Sequence, residues 1–217
     1  MRSTTGAMVL GVMMPCLLVA TTAEAQRPTS PRGLASTQVG GTWTSDADAR
    51  GVAGGASYDG GKWIDVEYGR PILRGRENLF GSGADYGQAF LLGAPIWRMG
   101  ANQSTTLTTE TNLMFGGQRL PAGIYTMFAE VGEFEWTLVF SNYGVKQSFR
   151  EETPNALWGS YGYTPELDVL RTTMRVATHP VSADQLTVMF TDMTQQGGNL
   201  TVWWDDQVAT AAFTIAP

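Results

Sequence analysis

The chain from Lys62 onward shows the hydrophobic and polar pattern of short β-strands. At its start, Ile64 and Val66 fall on one face and Asp65 and Glu67 on the other, which is the alternation of a half-buried strand. β-branched and aromatic residues recur in further short segments. These are residues 104–109, 112–115, 123–131, 134–141, 169–178, 185–192, 199–205 and 207–215. The pattern predicts about nine strands.

Glycine-rich turns separate several of these segments. Gly116-Gly117, Gly132 and Gly197-Gly198 each lie between neighbouring strand segments, and glycine takes the positive φ of tight hairpin turns at little cost. The pattern contains no long amphipathic helix. Many short strands without helical repeats predict an all-β fold, an antiparallel β-sandwich or a jelly-roll-like single domain.

Residues 1–25 carry the pattern of a signal peptide. Arg2 supplies the positive start, residues 7–20 are uncharged and largely apolar, and Ala23-Glu24-Ala25 matches the small residues that precede a cleavage site. The apolar run is too short to span a bilayer comfortably and has no positively charged flank close behind it. We therefore expect an exported protein, periplasmic or secreted, with no transmembrane segment after cleavage.

The segment after the signal, residues 26–57, is predicted to be a flexible leader. It is rich in glycine, serine, threonine, alanine and proline and shows little periodicity. The remaining residues, 58–217, have the length of one domain with a sizeable core.

Composition excludes several kinds of chemistry. Cys16 is the only cysteine and lies inside the signal, so the mature chain has no disulfide, thiolate metal site or cysteine nucleophile. His179 is the only histidine, and we expect no histidine-rich metal centre and no cofactor. The net charge of −6 gives no electrostatic basis for binding nucleic acid.

Four arginines stand close together in this acidic sequence: Arg70, Arg74, Arg76 and Arg98. The planar guanidinium group binds carboxylate, phosphate or sulfate through paired hydrogen bonds, so a shared cleft would suit an anionic ligand. In the alternative interpretation, these arginines pair with Asp65, Glu67 and Glu77 and fasten an irregular loop to the sheet.

Trp97 is followed by Arg98 and, after a glycine-containing turn, by Asn102. Such a set can stack on a sugar ring and hydrogen-bond its hydroxyls, because the asparagine amide both donates and accepts. The alternative is a buried tryptophan beside a turn whose asparagine caps local backbone groups.

Four motifs occur in a particular order along the chain. They are Tyr68-Gly69-Arg70-Pro71 with Arg74-Gly75-Arg76, Trp97-Arg98-Met99-Gly100-Ala101-Asn102, Leu120-Pro121-Ala122-Gly123-Ile124-Tyr125, and Glu135-Trp136. Together they resemble the bacterial family called domain of unknown function 2911, over roughly residues 58–213. The resemblance implies an exported β-sandwich-like domain and no particular reaction. Gly69 stands where serine is common in that pattern, and Met99 where threonine is common.

These observations favour a non-catalytic binding module for an anionic or carbohydrate ligand. The residues expected to contact the ligand are Arg70, Arg74, Arg76, Trp97, Arg98 and Asn102. Two alternatives stay open: a hydrolase of envelope glycans that uses paired carboxylates, and a purely structural envelope protein.

Overall fold

The computed structural model describes residues 29–44 and 57–216. The predicted signal peptide lies outside the described residues. No helix within these ranges has the length and apolar character needed to cross a membrane.

Strands dominate the described residues. They are Arg32–Val39 (β1), Thr42–Thr44 (β2), Ser57–Asp59 (β3), Lys62–Gly69 (β4), Thr105–Thr109 (β5), Leu113–Phe115 (β6), Gln118–Leu120 (β7), Gly123–Glu130 (β8), Glu135–Ser141 (β9), Gly144–Val145 (β10), Ala156–Leu157 (β11), Asp168–Thr194 (β12) and Gly197–Ile215 (β13). The helices are short: Gln88–Leu91 (α1) and the 3-10 turns Gly83–Asp85 and Pro165–Leu167.

Nine of the strands form one antiparallel sheet in the order β1-β4-β5-β8-β9-β12-β13-β6-β7. Its strand pairs are all antiparallel. β2 and β3 form a separate antiparallel pair, and β10 and β11 a short parallel one. The predicted all-β class is therefore confirmed.

Strand β13 turns back on itself within its 19 residues. Asp205 has a positive φ of 52°, which aspartate tolerates better than most residues. On either side of this bend, the N–H of Ile215 donates to the carbonyl of Gln196 at 2.7 Å. The hydroxyls of Thr201 and Thr210 lie 3.3 Å apart. The two halves of β13 therefore run side by side.

The second half of β12 lies over the first strands of the sheet. Gln185 forms an antiparallel bridge with Ile72, and the N–H of Val188 donates to the hydroxyl of Tyr68 on β4 at 3.0 Å. The second half of β12 and the first half of β13 thereby form a second layer over the core, while the first half of β12 stays paired with β9. This confirms the predicted sandwich-like arrangement.

The structure corrects the prediction that residues 26–57 form a flexible leader. Part of it, β1, pairs with β4 along its whole length from Arg32↔Gly69 to Val39↔Lys62. Ala35 and Val39 are buried in the core. The sequence of β1 is rich in small and polar residues, so its own hydrophobic pattern is weak. It is a strand because β4 supplies its hydrogen bonds and the core takes its inward side chains.

Three tryptophans form the centre of the core. Trp97 and Trp204 are stacked, with ring centroids 6.2 Å apart and an interplanar angle of 10°. Trp136 meets Trp97 edge-on at 5.5 Å. Each such aromatic pair adds about 0.5–1.5 kcal/mol beyond the burial of its area. The predicted core face of β9, with Trp136, Leu138 and Phe140, is fully buried and is confirmed.

A close backbone crossing fastens the turn after Trp97 to the end of β4. The N–H of Ala101 donates to the carbonyl of Gly69 at 3.2 Å. A Cβ on Gly69 would overlap the carbonyl group of Ala101, and a Cβ on Gly100 would lie 2.9 Å from the Gly69 oxygen. In this chain, glycine at position 69 allows a contact that serine would obstruct.

We expect Gly69→Ala to destabilise the domain by about 1–3 kcal/mol, because the added methyl group overpacks a backbone contact. Urea unfolding followed by tryptophan fluorescence measures the change. Gly117→Asn is the control, since a Cβ there meets nothing within 4 Å and asparagine tolerates its φ of 81°. Equal midpoints for the two variants would contradict the proposed overlap.

Candidate functional site

Two of the motif arginines donate to backbone carbonyls within the fold. Nε of Arg70 donates to the carbonyl of Leu186 at 3.3 Å. Nε and Nη2 of Arg76 donate to the carbonyls of Leu73 and Ile72 at 3.1 and 2.9 Å. These bonds join the loop after β4 to β12 and close the loop on itself.

The other two arginines lie in separate places. Arg74 is exposed with a φ of 50°, and its backbone N–H donates to Oδ1 of Asp184 at 3.1 Å. Nη1 of Arg98 donates to the carbonyl of Asn102 at 2.9 Å, and its guanidinium carbon lies 5.5 Å from the ring centroid of Tyr161. The structure therefore does not gather the four arginines into one anion-binding cleft.

The acids suggested as alternative partners of the four motif arginines do not form ion pairs with them either. Within the described residues, Glu67 pairs with Arg32, and neither Asp65 nor Glu77 forms an ion pair with an arginine. Backbone carbonyls replace the expected carboxylates as acceptors. They accept one or two of the five guanidinium N–H groups and supply no counter-charge.

The predicted contact of Trp97 with a sugar is wrong. Its side chain is buried, with 2% exposure. Its backbone exchanges two hydrogen bonds with Ala129, at 3.0 and 2.9 Å, and so pairs with β8. The other interpretation, a buried tryptophan beside a turn, describes this position.

Asn102 is exposed and lines a groove on the outer face of the sheet. The groove has a volume of about 280 Å³. We call it the polar groove and define it by six side chains: Arg32, Glu67, Asn102, Gln103, Thr106 and Gln147. The structure thus places one of the six predicted site residues, Asn102, on this surface.

Strand alternation builds the floor of the polar groove. In β5, Leu107 is buried and its neighbours Thr106 and Thr108 face outward. Thr106 lies opposite Glu67 of β4, and Thr108 lies opposite Ile124 of β8. Ile124 is 70% exposed and gives the groove an apolar wall beside its polar groups.

Hydrogen bonds hold the rim of the groove. Nη2 of Arg32 pairs with Oε2 of Glu67 at 2.8 Å, so the charges on these two side chains offset each other. Nε2 of Gln103 donates to Oε1 of Gln147 at 2.8 Å, which joins the turn after Trp97 to the loop after β10.

Glu151 shapes the loop that carries Gln147. Hydrogen bonds from the hydroxyl of Thr153 and the backbone N–H of Gln147 lower the pKa of the Glu151 carboxyl. The ionised carboxylate accepts both bonds, so the loop keeps this shape at neutral pH.

A second polar cluster lies away from the groove. The hydroxyl of Tyr163 and Nη1 of Arg171 donate to Oδ2 of Asp168 at 2.7 and 2.8 Å, and Arg171 also pairs with Glu130. Burial, with the hydrogen bond to Asp168 as a second cause, raises the pKa of the Tyr163 hydroxyl. The cluster fastens the loop before β12 to the sheet, and we interpret it as structural.

The chemistry of the polar groove is that of a neutral hydrogen-bonding surface. Carboxamides donate and accept at once, and threonine hydroxyls do the same. Glu67 is the only acid among the lining residues. Among residues 29–44 and 57–216, no group of three or more histidine, cysteine, aspartate or glutamate side chains is placed to hold a metal ion.

Most residues of the polar groove carry no local signal in the sequence. Glu67 was on the predicted polar face of its strand, which was a usable signal. Arg32 lies in the segment predicted to be a flexible leader, and Gln103 and Gln147 meet only through the folding of two distant loops.

A family model described as "Protein of unknown function (DUF2911)" matches residues 55–213. No curated protein and no solved structure matches the chain. β1 and β2 precede the matched residues, although β1 is part of the main sheet.

We expect Arg98→Ala to destabilise the domain by about 2 kcal/mol, because it removes a charged hydrogen bond to a carbonyl and a cation–π contact. Arg74→Ala is the matched control and should change stability by less than about 0.5 kcal/mol, since that side chain is exposed. Urea unfolding measures both variants. Indistinguishable midpoints would contradict a structural role for Arg98.

Proposed function

The chain belongs to the DUF2911 family of proteins of unknown function, matched over residues 55–213, and from this starting point we propose that it is a non-catalytic module that binds a neutral carbohydrate outside the cytoplasm. The observation that carries the proposal is the polar groove. It brings three carboxamides, a threonine hydroxyl and a charge-balanced ion pair to one open depression.

A neutral ligand fits the placement of charge better than an anion does. The guanidinium groups of Arg70, Arg76 and Arg98 already donate within the fold. Arg32, the arginine in the groove, is paired with Glu67. Each guanidinium group has five N–H donors, so these bonds engage only part of it. Within the groove, the charge of Arg32 is offset by Glu67, and the lining residues include no second cation to attract an anion.

A carbohydrate matches the groove because sugars present hydroxyls that both donate and accept, together with patches of C–H. Gln103 and Gln147 share one hydrogen bond, and Nδ2 of Asn102 donates to the carbonyl of Ser30 at 3.4 Å. A carboxamide has two N–H donors and an acceptor oxygen, so each of the three keeps capacity for a sugar hydroxyl. Ile124 supplies the apolar contact. We therefore expect binding by hydrogen bonds with modest apolar burial.

The hydrolase alternative has less support. Glycoside hydrolysis generally uses two carboxyl groups that flank the scissile bond. Among the groove residues only Glu67 carries a carboxylate, and Arg32 pairs with it. The binding interpretation needs no such pair.

Export is part of the proposal and is supported by the N-terminal sequence. If the signal is cut after Ala25, the exported protein begins at Gln26. Intact-mass measurement of the protein recovered outside the cytoplasm tests this expectation. A recovered chain that keeps Met1 would contradict it.

We expect a neutral oligosaccharide to raise the unfolding midpoint of the mature domain, since a ligand of the folded state stabilises it by mass action. The panel contains cellohexaose, maltohexaose, chitohexaose and xylohexaose, with inorganic phosphate and sulfate as the anionic arm. Gln147→Ala should reduce the shift, because it removes one amide of the groove and keeps the backbone bond to Glu151.

Gln88→Ala, at an exposed position in α1, is the matched control and should keep the shift. A rise in the unfolding midpoint with phosphate or sulfate alone would contradict the proposal of a neutral ligand. If no member of the panel changes the midpoint, the result would favour the alternative that the chain is a purely structural envelope protein.

A further inference from the structure

A second depression lies where β1 meets the end of β12. It is lined by Thr37, Gln38, Trp43, Tyr58, Met193, Thr194 and Gln195 and has a volume of about 420 Å³. We call it the aromatic cleft. The N–H of Gly40 donates to the carbonyl of Gln195 at 2.7 Å, so the two walls of the cleft are joined at its base.

The aromatic wall is a well-defined pair of rings. Trp43 and Tyr58 are opposite each other in the β2–β3 pair, with ring centroids 5.2 Å apart and an interplanar angle of 54°. The N–H of Gly41 donates to the Tyr58 hydroxyl at 3.0 Å. A Cβ on Gly41 would lie 2.6 Å from the Tyr58 ring, so glycine is needed for this contact.

Trp43 is the tryptophan that the fold leaves accessible at this cleft. Its side chain is 63% exposed, whereas Trp97, Trp136 and Trp204 are buried. Tyr58 supports the indole and holds its position. A supported, exposed indole loses little conformational freedom when a ligand stacks on it.

No lining residue of the aromatic cleft is charged. The polar groups available are the carboxamides of Gln38 and Gln195 and the hydroxyl of Thr37, each of which donates and accepts. A ligand that suits these walls has one apolar face for the indole and neutral hydroxyl groups at its edge. A sugar ring has both.

We propose that the aromatic cleft is a second saccharide site, in which Trp43 stacks on the C–H face of a sugar ring and Gln38 and Gln195 bind its hydroxyls. This site extends the proposed function and does not depend on the polar groove. Arg32 of the groove and Gln38 of the cleft are near opposite ends of β1, about 20 Å apart at the rise of an extended strand.

The test follows the indole N–H resonances of the seven tryptophans in proton–nitrogen correlation spectra of the mature domain. The Trp43 signal is assigned by its loss in Trp43→Phe. The probes are cellohexaose, maltohexaose, chitohexaose and xylohexaose. At least one of them should shift the Trp43 signal, and should do so equally in Gln147→Ala, in which the groove has lost one of its amides.

Calorimetry with the active sugar on the Gln147→Ala background then measures the contribution of the ring. Trp43→Ala should weaken binding at least about tenfold, and Trp43→Phe, which keeps an aromatic face, should weaken it less. Phe134→Ala removes an exposed ring elsewhere and should leave the affinity unchanged.

Four results would overturn the proposal. The first is a Trp43 signal that no sugar in the panel moves. The second is unchanged affinity in Trp43→Ala. The third is a Trp43 signal that moves with protein concentration alone, which would assign the cleft to a second copy of the chain. The fourth is loss of the Trp43 shift in Gln147→Ala, which would place all binding in the polar groove.

Discussion

The stacking of Trp97 on Trp204 is the interaction on which the two-layer arrangement depends. Trp97 belongs to the loop that pairs with β8, and Trp204 belongs to β13 in the covering layer. Their contact joins the layers at the centre of the core, and the Arg76 guanidinium lies 5.6 Å from the Trp204 ring centroid. Because Trp97 is held inside, the turn that follows it emerges on the outer face and carries Asn102 to the groove.

The close backbone contact between Gly69 and Ala101 also holds the turn that follows Trp97. Trp97 fixes one end of the turn, and the contact between Gly69 and Ala101 fixes the other. Arg98 then bridges from the turn to Tyr161. The residues of the motifs therefore act mainly as internal supports, and this explains why their side chains do not converge on one open cleft.

The sequence was informative wherever one face of a strand is buried and the other is wet. β4 follows that rule along its length. β9 follows it only at its start, since both of its faces are buried from Leu138 to Ser141. Both strands were predicted. β1 was not, because its small and polar residues acquire their pattern only through pairing with β4. The same limit applies to the sites: exposure separates Trp43 from Trp97, and exposure is set by packing partners that are distant in the sequence. The contact between Gln103 and Gln147 likewise depends on loop geometry that no local pattern encodes.

The two candidate surfaces share a physical origin in the edge strand β1. An edge strand offers side chains on one face of the sheet and along its free border, so it can contribute to two depressions at once. β1 supplies Arg32 to the polar groove and Gln38 to the aromatic cleft. It also precedes residues 55–213, over which the chain matches its family. The family motifs thus build the supporting core, while the groups best placed to meet a ligand come partly from a strand added at its border.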